Sequence, residues 1–199
     1  MPRRLLALVV IALALVSSAG CADDVSPAAR IGDTKIGNGA FLDEVAQWAG
    51  SKTLVAAVQI PSTAGSGPGS YATPFVDFVL SNRISFELHN AKFGELGLAL
   101  SAQDTKNVRD GLFSDPAATE AVFKELSKAY GDRLVADVAR QFAVSQALGD
   151  GYQAWVAEAF TKADVEVSPR YGTWDRASGQ VVPPEGPTEP AGASTPTGL

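Results

Sequence analysis

The stretch VEVSPRYGTWD, Val165–Asp175, lies near the end of the part of the chain that carries secondary-structure signals. Its first three residues alternate apolar and acidic side chains, which is typical of a short β-strand with one buried face. Pro169 follows closely and cannot continue the hydrogen-bond ladder of a strand. Such a short strand is not stable alone, so its backbone groups need a partner strand elsewhere in the chain.

The second β-like segment stands near the other end of the chain, at ARIGD, Ala29–Asp33. Gly32 and Asp33 form a turn pair there, which predicts a short strand or a tight hairpin. The simplest pairing places VEV against ARIGD. The sequence therefore predicts a mainly α protein, in which a helical lobe carries a small two-stranded sheet that pairs the first and last ordered segments. Val165 and Val167 belong to the closing strand.

Tyr171 and Trp174 follow the closing strand as large aromatic residues in a turn-like stretch. We expect their rings to pack against the lobe and to hold the exit of the chain in place. Together with Val165 and Val167 they form a predicted structural latch. A catalytic loop is a poorer interpretation, because the stretch contains no His, no Cys and no serine–base arrangement.

Between the two β segments, apolar residues recur at helical spacing and are separated by capping and helix-breaking residues. Residues 61–72 are rich in Gly, Ser and Pro and predict a loop. Ser101 with Asp104 matches a capping box, and Asp115 before a proline marks another helix start. Gly131 is expected to end one helix. The helix after it has an apolar side formed by Leu134, Val135, Val138 and Phe142.

The composition of the chain bounds its class. It has 199 residues, of which 46% are hydrophobic and 19% charged, and this predicts one globular domain with flanking tails. The 16 basic and 22 acidic residues give a formal net charge of −6, without a basic stripe. Since phosphate contacts need clustered Lys and Arg, this composition argues against nucleic-acid binding.

Metal and cofactor chemistry has little support in the sequence. Cys21 and His89 are the only cysteine and the only histidine, so the pair cannot build a zinc site of Cys and His ligands. The GSGPG motif within residues 61–72 lacks the Gly-Lys-Ser/Thr ending of a phosphate-binding loop. We therefore expect no cofactor, no metal and no small-molecule substrate.

The N-terminus has the pattern of a secretory signal peptide. Arg3 and Arg4 precede the apolar run Leu5–Val16, and small residues follow up to Gly20. Residues 1–20 are therefore predicted to be a lipoprotein signal peptide. The run is shorter than the roughly 20 apolar residues of a transmembrane helix. An uncleaved membrane anchor stays open as the alternative.

The small residues lead directly to Cys21. The sequence SAGC resembles a bacterial lipobox, in which the cysteine is lipidated and becomes the first mature residue, although Ser18 stands where leucine is commonest. Several acyl chains would hold the exported protein on the outer face of the bacterial cytoplasmic membrane, with residues 21–29 as a tether. The alternative is an ordinary signal peptide followed by a free thiol.

The order of these motifs resembles that of a known family. ARIGDTKIGNGAFLDEV, Ala29–Val45, is similar to the opening of the SurA and PrsA chaperone–foldase families, where a short strand with a Gly-Asp-like turn leads into a helix. The segment Phe75–Leu112 resembles their next helix, which ends at a Leu-Gly pair, here Leu96-Gly97, before a capped helix. VEVSPRYGTWDRASGQVVPP looks like the ending of actinobacterial lipoproteins that carry a SurA-like N-terminal domain.

The resemblance implies that residues 30–182 form a SurA-like N-terminal helical domain that binds unfolded or secreted polypeptides. Family members often also carry a parvulin-type prolyl isomerase domain. No segment is left over for that domain here, and its site needs histidines where this chain has only His89. We therefore expect no isomerase activity and no enzyme. Residues 183–199 are dominated by Pro, Gly, Thr and Ala and predict a disordered tail.

A chaperone surface needs exposed apolar side chains, because its clients also expose apolar side chains. The candidate polypeptide-binding residues lie on the predicted long amphipathic helix and are Phe75, Phe78, Phe86 and Phe93. The alternative is that these rings form the core of the lobe. His89 has no visible nucleophile or orienting partner, so a packed or surface histidine is the better interpretation than a general base.

Acidic residues could suggest paired carboxylates for acid–base chemistry. Most of them stand at predicted helix starts, where capping and the helix dipole explain them. These residues are Asp43, Glu44, Asp104, Asp110, Asp115 and Asp132.

Two hypotheses from different classes follow. The first is a lipid-anchored, chaperone-like module that binds unfolded or secreted polypeptides without isomerase chemistry. The second is a structural or assembly lipoprotein that docks one dedicated partner of the cell envelope.

Mass spectrometry of the exported protein tests the predicted lipid anchor. We expect the mature chain to begin at Cys21 and to carry acyl chains on that residue. A mature terminus at another position, or an unmodified Cys21 thiol, would contradict the lipobox assignment.

Overall fold

The computed structural model of the chain describes residues 26–60 and 62–184. The predicted signal peptide, Cys21 and the tail from residue 185 onward lie outside the described residues. The helices are α1 Asn38–Gly50, α2 Lys52–Ala57, α3 Thr73–Glu95, α4 Ala102–Asp110, α5 Pro116–Glu125, α6 Lys128–Leu148 and α7 Tyr152–Lys162. The strands are β1 Ala29–Ile31, β2 Thr34–Ile36, β3 Val165–Val167, β4 Thr173–Asp175 and β5 Gln180–Val182. The predicted mainly helical fold is confirmed.

The first and last segments of the predicted domain meet as expected. β1 pairs antiparallel with β3, with Arg30 opposite Glu166 and Ile31 opposite Val165. The sheet has three strands in the order β2-β1-β3, where two were predicted, because β2 pairs with the other edge of β1. The turn at Gly32 makes that hairpin, and it satisfies the backbone groups of β1 on both sides.

The domain begins two residues earlier than predicted. Ala28 and Ala29 were assigned to the tether, residues 21–29, but both are buried. The Ala28 amide donates to the Ile36 carbonyl at 2.8 Å, and the Ser168 amide donates to the Ala28 carbonyl at 2.9 Å. These bonds extend the sheet by one residue, so any tether ends before Ala28.

A second sheet, which the sequence analysis did not predict, follows the closing strand. β4 pairs antiparallel with β5, with Trp174 opposite Val181. The Val181 amide donates to Ser81 Oγ at 2.8 Å, which fastens this hairpin to α3. The last ordered strand is therefore β5, and β3 closes the first sheet without ending the domain.

Side-chain caps mark helix starts as the sequence predicts. Ser101 Oγ accepts from the Asp104 amide at 3.1 Å, and Asp104 Oδ2 accepts from the Ser101 amide at 2.8 Å. These two bonds confirm the capping box. Asp115 Oδ1 accepts from the Ala117 amide at 2.8 Å, which confirms the start of α5.

The prediction that Gly131 ends a helix is wrong. α6 begins after Ser127, whose Oγ accepts from the Tyr130 amide, and runs through Gly131 without interruption. Gly131 is buried, and a Cβ added there would lie 3.1 Å from the Phe123 ring of α5. The glycine therefore lets α5 approach α6 closely, and this packing offsets the cost of about 1 kcal/mol for glycine inside a helix.

The loop at residues 61–72 lacks helix in its described part, residues 62–72, but its backbone is bonded. The Gly65 amide donates to the Ser70 carbonyl at 2.9 Å, and the Ala72 amide donates to the Thr63 carbonyl at 3.0 Å. The segment is therefore a folded turn that leads into α3.

One apolar core joins α1, α3 and α6 and takes in residues from α2, α5 and both sheets. Its largest fully buried apolar side chains are Phe41, Phe75, Leu80 and Ile84. In residues 26–60 and 62–184, no helix has the length and apolar content that crossing a bilayer requires.

Asp77 is an anomaly within this core. Its side chain is 5% exposed, and neither carboxylate oxygen has a hydrogen-bond partner among the described residues. Burial disfavours the charged form and raises the pKa of Asp77 to about 6. At neutral pH the carboxylate is therefore charged without compensation, which costs stability.

Replacing Gly179 tests how the β4–β5 hairpin is held. Gly179 has a φ of 66°, and an added Cβ would lie 2.2 Å from the Phe160 ring of α7. We expect Gly179→Ala to cost about 1–2 kcal/mol for the left-handed backbone and about 1–3 kcal/mol more for overpacking. Gly97→Ala is the matched control, because Gly97 has a φ of 64° and open space around it. Equal losses in urea denaturation would contradict the packing of Phe160 on the hairpin.

Replacing Asp77 tests its charge. A raised pKa means that the favourable contribution of Asp77 is complete below about pH 4 and is lost as the pH rises through about 6. Asp77→Asn should therefore raise the free energy of unfolding by about 2–3 kcal/mol at pH 8 and change it little at pH 4. Asp110→Asn, at an exposed position, should change little at either pH. If Asp77→Asn lowered the free energy of unfolding equally at both pH values, this would indicate that the carboxylate is hydrogen-bonded in the folded protein.

Candidate functional site

An open groove of about 630 Å³ lies between α4 and α6. The α4 side presents one helix face, formed by Asp104, Asn107, Val108 and Gly111. The α6 side presents another, formed by Ala139, Phe142, Ala143, Gln146 and Ala147. Leu98 and Ala99, which precede α4, close one part of the rim. The lining combines small and apolar side chains with Asp104, Asn107 and Gln146, so the exposed surface of the groove is about as polar as it is apolar.

The elements that form the groove are fixed by local sequence. The Leu96-Gly97 pair ends α3, where the Gly97 amide donates to the Gly94 carbonyl and the Leu98 amide donates to the Phe93 carbonyl. The capping box at Ser101 then starts α4. The chain thus leaves α3, turns, and returns as a short helix beside α6.

Phe142 is the most exposed large apolar residue among those described, at 56%. The sequence analysis placed it on the buried side of its helix with Leu134 and Val135, which are indeed buried. It continues their helical spacing, so the sequence offered no signal that separates it from the core. Phe142 is outside because its part of α6 faces the groove and no packed element covers it.

The polar groups of the groove are few and mostly engaged. Asp104 accepts from the backbone and the hydroxyl of Ser101, and these bonds lower the pKa of its carboxyl, which is therefore ionised at neutral pH. Asn107 Oδ1 accepts from Gln103 Nε2 at 2.6 Å. This sparse set provides no arrangement of a nucleophile with a base.

The four phenylalanines predicted to bind polypeptides do not form an open surface. Phe75 and Phe86 are buried, so they cannot contact a client in this structure. Phe78 is half-buried and packs edge-on against Trp48, with ring centroids 5.5 Å apart. Phe93 is also half-buried. Two of the four rings thus belong to the closed core, which is the alternative that the sequence left open, and the other two are partly exposed.

The predicted latch residues lie against the lobe. The rings of Tyr171 and Phe41 pack edge-on at 5.1 Å, and the Tyr171 hydroxyl donates to Asn38 Oδ1 at 2.6 Å. Trp174 packs edge-on against Phe160 at 5.9 Å and donates from Nε1 to the Phe160 carbonyl at 3.2 Å. Both aromatic residues thus fasten the exit of the chain to helices, and Val165 and Val167 lie in β3 as expected.

A buried polar network, which the sequence analysis missed, links α1 to α6. The Tyr130 hydroxyl donates to Glu44 Oε1 at 3.2 Å and accepts from Trp48 Nε1, and Arg133 donates to Glu44 Oε2 at 2.9 Å. Burial raises the pKa of Glu44. The sequence analysis explained Glu44 by its position near a helix start, but its side chain is an internal partner for α6. Its bonds join side chains of α1 and α6 to one another, so we assign it to packing.

His89 is packed and bonded, as expected. Its Nδ1 lies 2.7 Å from the Ser85 carbonyl and its Nε2 lies 2.9 Å from the Tyr152 hydroxyl, while Trp155 packs edge-on at 5.0 Å. These partners require a proton on Nδ1 and leave Nε2 to accept from Tyr152. Burial lowers the pKa of His89, so the ring is neutral at physiological pH. It fastens α7 to α3.

Two of the acidic residues assigned to caps play other roles. Asp110 lies at the end of α4 and pairs with Lys106, and Asp132 lies inside α6 and pairs with Lys128. In the part of the chain that the structure describes, no three His, Cys, Asp or Glu side chains are grouped so that they could hold a metal ion.

Comparison with known proteins adds no relative. No family model, no curated protein and no solved structure matches this chain. The resemblance to SurA-like domains therefore stays a prediction that depends on the quoted motifs.

Proposed function

We propose that this chain is an exported, lipid-anchored, chaperone-like protein that binds unfolded or secreted polypeptides without a prolyl isomerase domain. The observation that carries the proposal is the open groove between α4 and α6, with Phe142 largely exposed at its wall. A large exposed aromatic side chain beside an open groove is typical of an interaction site.

The chemistry of the groove suits a polypeptide ligand. Apolar side chains of a bound polypeptide would be removed from water in the groove, which contributes about 25 cal/mol of binding free energy per Å² of apolar surface buried. The amides of Asn107 and Gln146 can bond to a peptide backbone, which is the same in every client. The small number of fixed polar groups is compatible with clients of different sequence.

The proposed location depends on the N-terminal motifs. A signal peptide with a lipobox at Cys21 would tether the domain to the outer face of the cytoplasmic membrane. The domain would then meet polypeptides that emerge unfolded from secretion, at the place where their apolar side chains are still exposed.

The second candidate is a structural or assembly lipoprotein that docks one dedicated partner. The burial of Phe75 and Phe86 favours it, because it removes two of the four predicted contact rings from the surface. A pull-down separates the two candidates. One stoichiometric partner supports docking, and a broad set of unfolded clients supports the chaperone.

An aggregation assay tests the chaperone proposal. A soluble chain that starts at Ala22 should slow aggregation of a reduced or denatured client at several-fold excess. Phe142→Ser should weaken client binding about tenfold or more, because burying a phenylalanine contributes about 1.5–3 kcal/mol. Leu42→Ser is the matched control, since Leu42 is 42% exposed on α1, outside the groove.

Three outcomes would count against the proposal. The first is that the wild-type chain does not slow aggregation where a known chaperone does so. Both serine variants could lose activity equally, which would remove the groove from the argument. Catalysis of isomerisation in a prolyl peptide would contradict the expected absence of an isomerase domain.

A further inference from the structure

α4 differs from the helices around it in how it is held. It has no buried residue, while α3 has eight and α6 has seven. α7 also has none, but the contacts of Tyr152 and Trp155 with His89 and of Phe160 with Trp174 fasten it. Buried apolar contacts are the main resistance to local opening, so α4 has little that holds it on the lobe.

Among the polar side chains of α4, Arg109 bonds to the neighbouring helices. The Arg109 guanidinium lies 4.1 Å from the centroid of the Phe123 ring on α5, and its Nη1 lies 3.8 Å from Asp132 Oδ1 on α6. Within the described part of the chain, the other polar side-chain bonds of α4 stay inside the helix and its cap. Arg109 is therefore the clasp between α4 and the rest of the lobe.

The clasp is weak and the space beneath the helix is open. Arg109 and Asp132 are about half exposed, and Asp132 also pairs with Lys128. Exposed ion pairs and exposed cation–π contacts each contribute little. On the side toward α6, the open groove takes up part of the space between the two helices. The capping box and the intrahelical pair of Lys106 with Asp110 meanwhile stabilise α4 as a helix.

We infer that α4 is a lid that swings away from α6 as an intact helix and opens the groove while α3 and α6 stay folded. Opening widens the groove beyond the already exposed Phe142, uncovers the buried Ala139 at its wall and lets a polypeptide enter. What the lid admits depends on the proposed function, but the motion itself does not, so the two can be tested separately.

Hydrogen exchange of the full chain, followed by mass spectrometry, tests the motion. A helix of 9 residues is only marginally stable once it is released from the lobe, so its amides exchange from the open state. We therefore expect the amides of residues 102–110 to exchange at least 100-fold faster than the central amides of α3 and α6, yet slower than those of an unstructured peptide. Arg109→Ala should accelerate exchange of this segment roughly tenfold and leave α6 unchanged. Lys162→Ala is the matched control and should leave the exchange of α4 unchanged, because Lys162 is exposed and pairs with Glu158 within α7.

Three results would overturn the lid. The first is protection of α4 equal to that of α6, which would make them one cooperative unit. The second is exchange of α4 at the rate of an unstructured peptide, which would mean that it is not an intact helix. The third is acceleration throughout the lobe in Arg109→Ala, which would make Arg109 a general packing residue.

A covalent lock tests access. Val108→Cys and Ala143→Cys, placed in a Cys21→Ser chain and joined by a short bis-maleimide, should hold α4 against α6 and weaken capture of a denatured client at least tenfold. The unlinked double variant is the control. If the linked and unlinked proteins capture the client equally while α4 exchanges as expected, the lid does not control entry and the inference fails. If the unlinked protein captures no client, the proposed function fails, and hydrogen exchange alone decides the lid.

Discussion

The ion pair between Arg83 on α3 and Asp137 on α6 determines how the two longest helices of the domain lie together. The two side chains meet at 2.7 Å, and both are almost fully removed from water. Asn90 and Arg140 also donate to Asp137, at 3.1 and 3.2 Å, so that the carboxylate is compensated. Two such charges cannot stay unpaired in a core, since a broken buried pair costs about 3–5 kcal/mol. A slip or a rotation of either helix would separate the two charges and leave Arg83 with only Glu87 on α3 and Asp137 with only Arg140 on α6, and the pair therefore favours one arrangement of α3 on α6.

That arrangement determines which aromatic rings are covered. Phe75 and Phe86 are buried within this packing, and Phe142 lies on the side of α6 that faces the groove and α4. The groove is thus a consequence of the same packing that closes the core. The groove lies beside α4, which has no buried residue, whereas α6 has seven. A binding surface next to a weakly held helix can become more accessible without unfolding of the lobe.

The two ends of the domain are joined by short elements that could not stand alone. β1 and β3 are three residues each, and they are stable because β2 and the lobe complete their bonds. Tyr171 and Trp174 then anchor the chain beyond β3 to α1 and α7, and the β4–β5 hairpin adds a bond to Ser81 on α3. A fold closed in this way holds both ends of the described chain on the lobe.

Local sequence determined the features whose interactions join residues close together in the chain. Helical spacing, the capping box at Ser101 and the cap at Asp115 were readable because their partners lie within a few residues. The pairing of VEV with ARIGD was also readable, because unpaired strands need partners and few were available. Tertiary structure alone decided the rest. Gly131 reads as a helix breaker until the Phe123 ring is seen against it, and Phe142 has the same spacing as its buried neighbours. Whether a residue on an apolar stripe is core or site depends on what lies opposite, and that is set by helices distant in the chain.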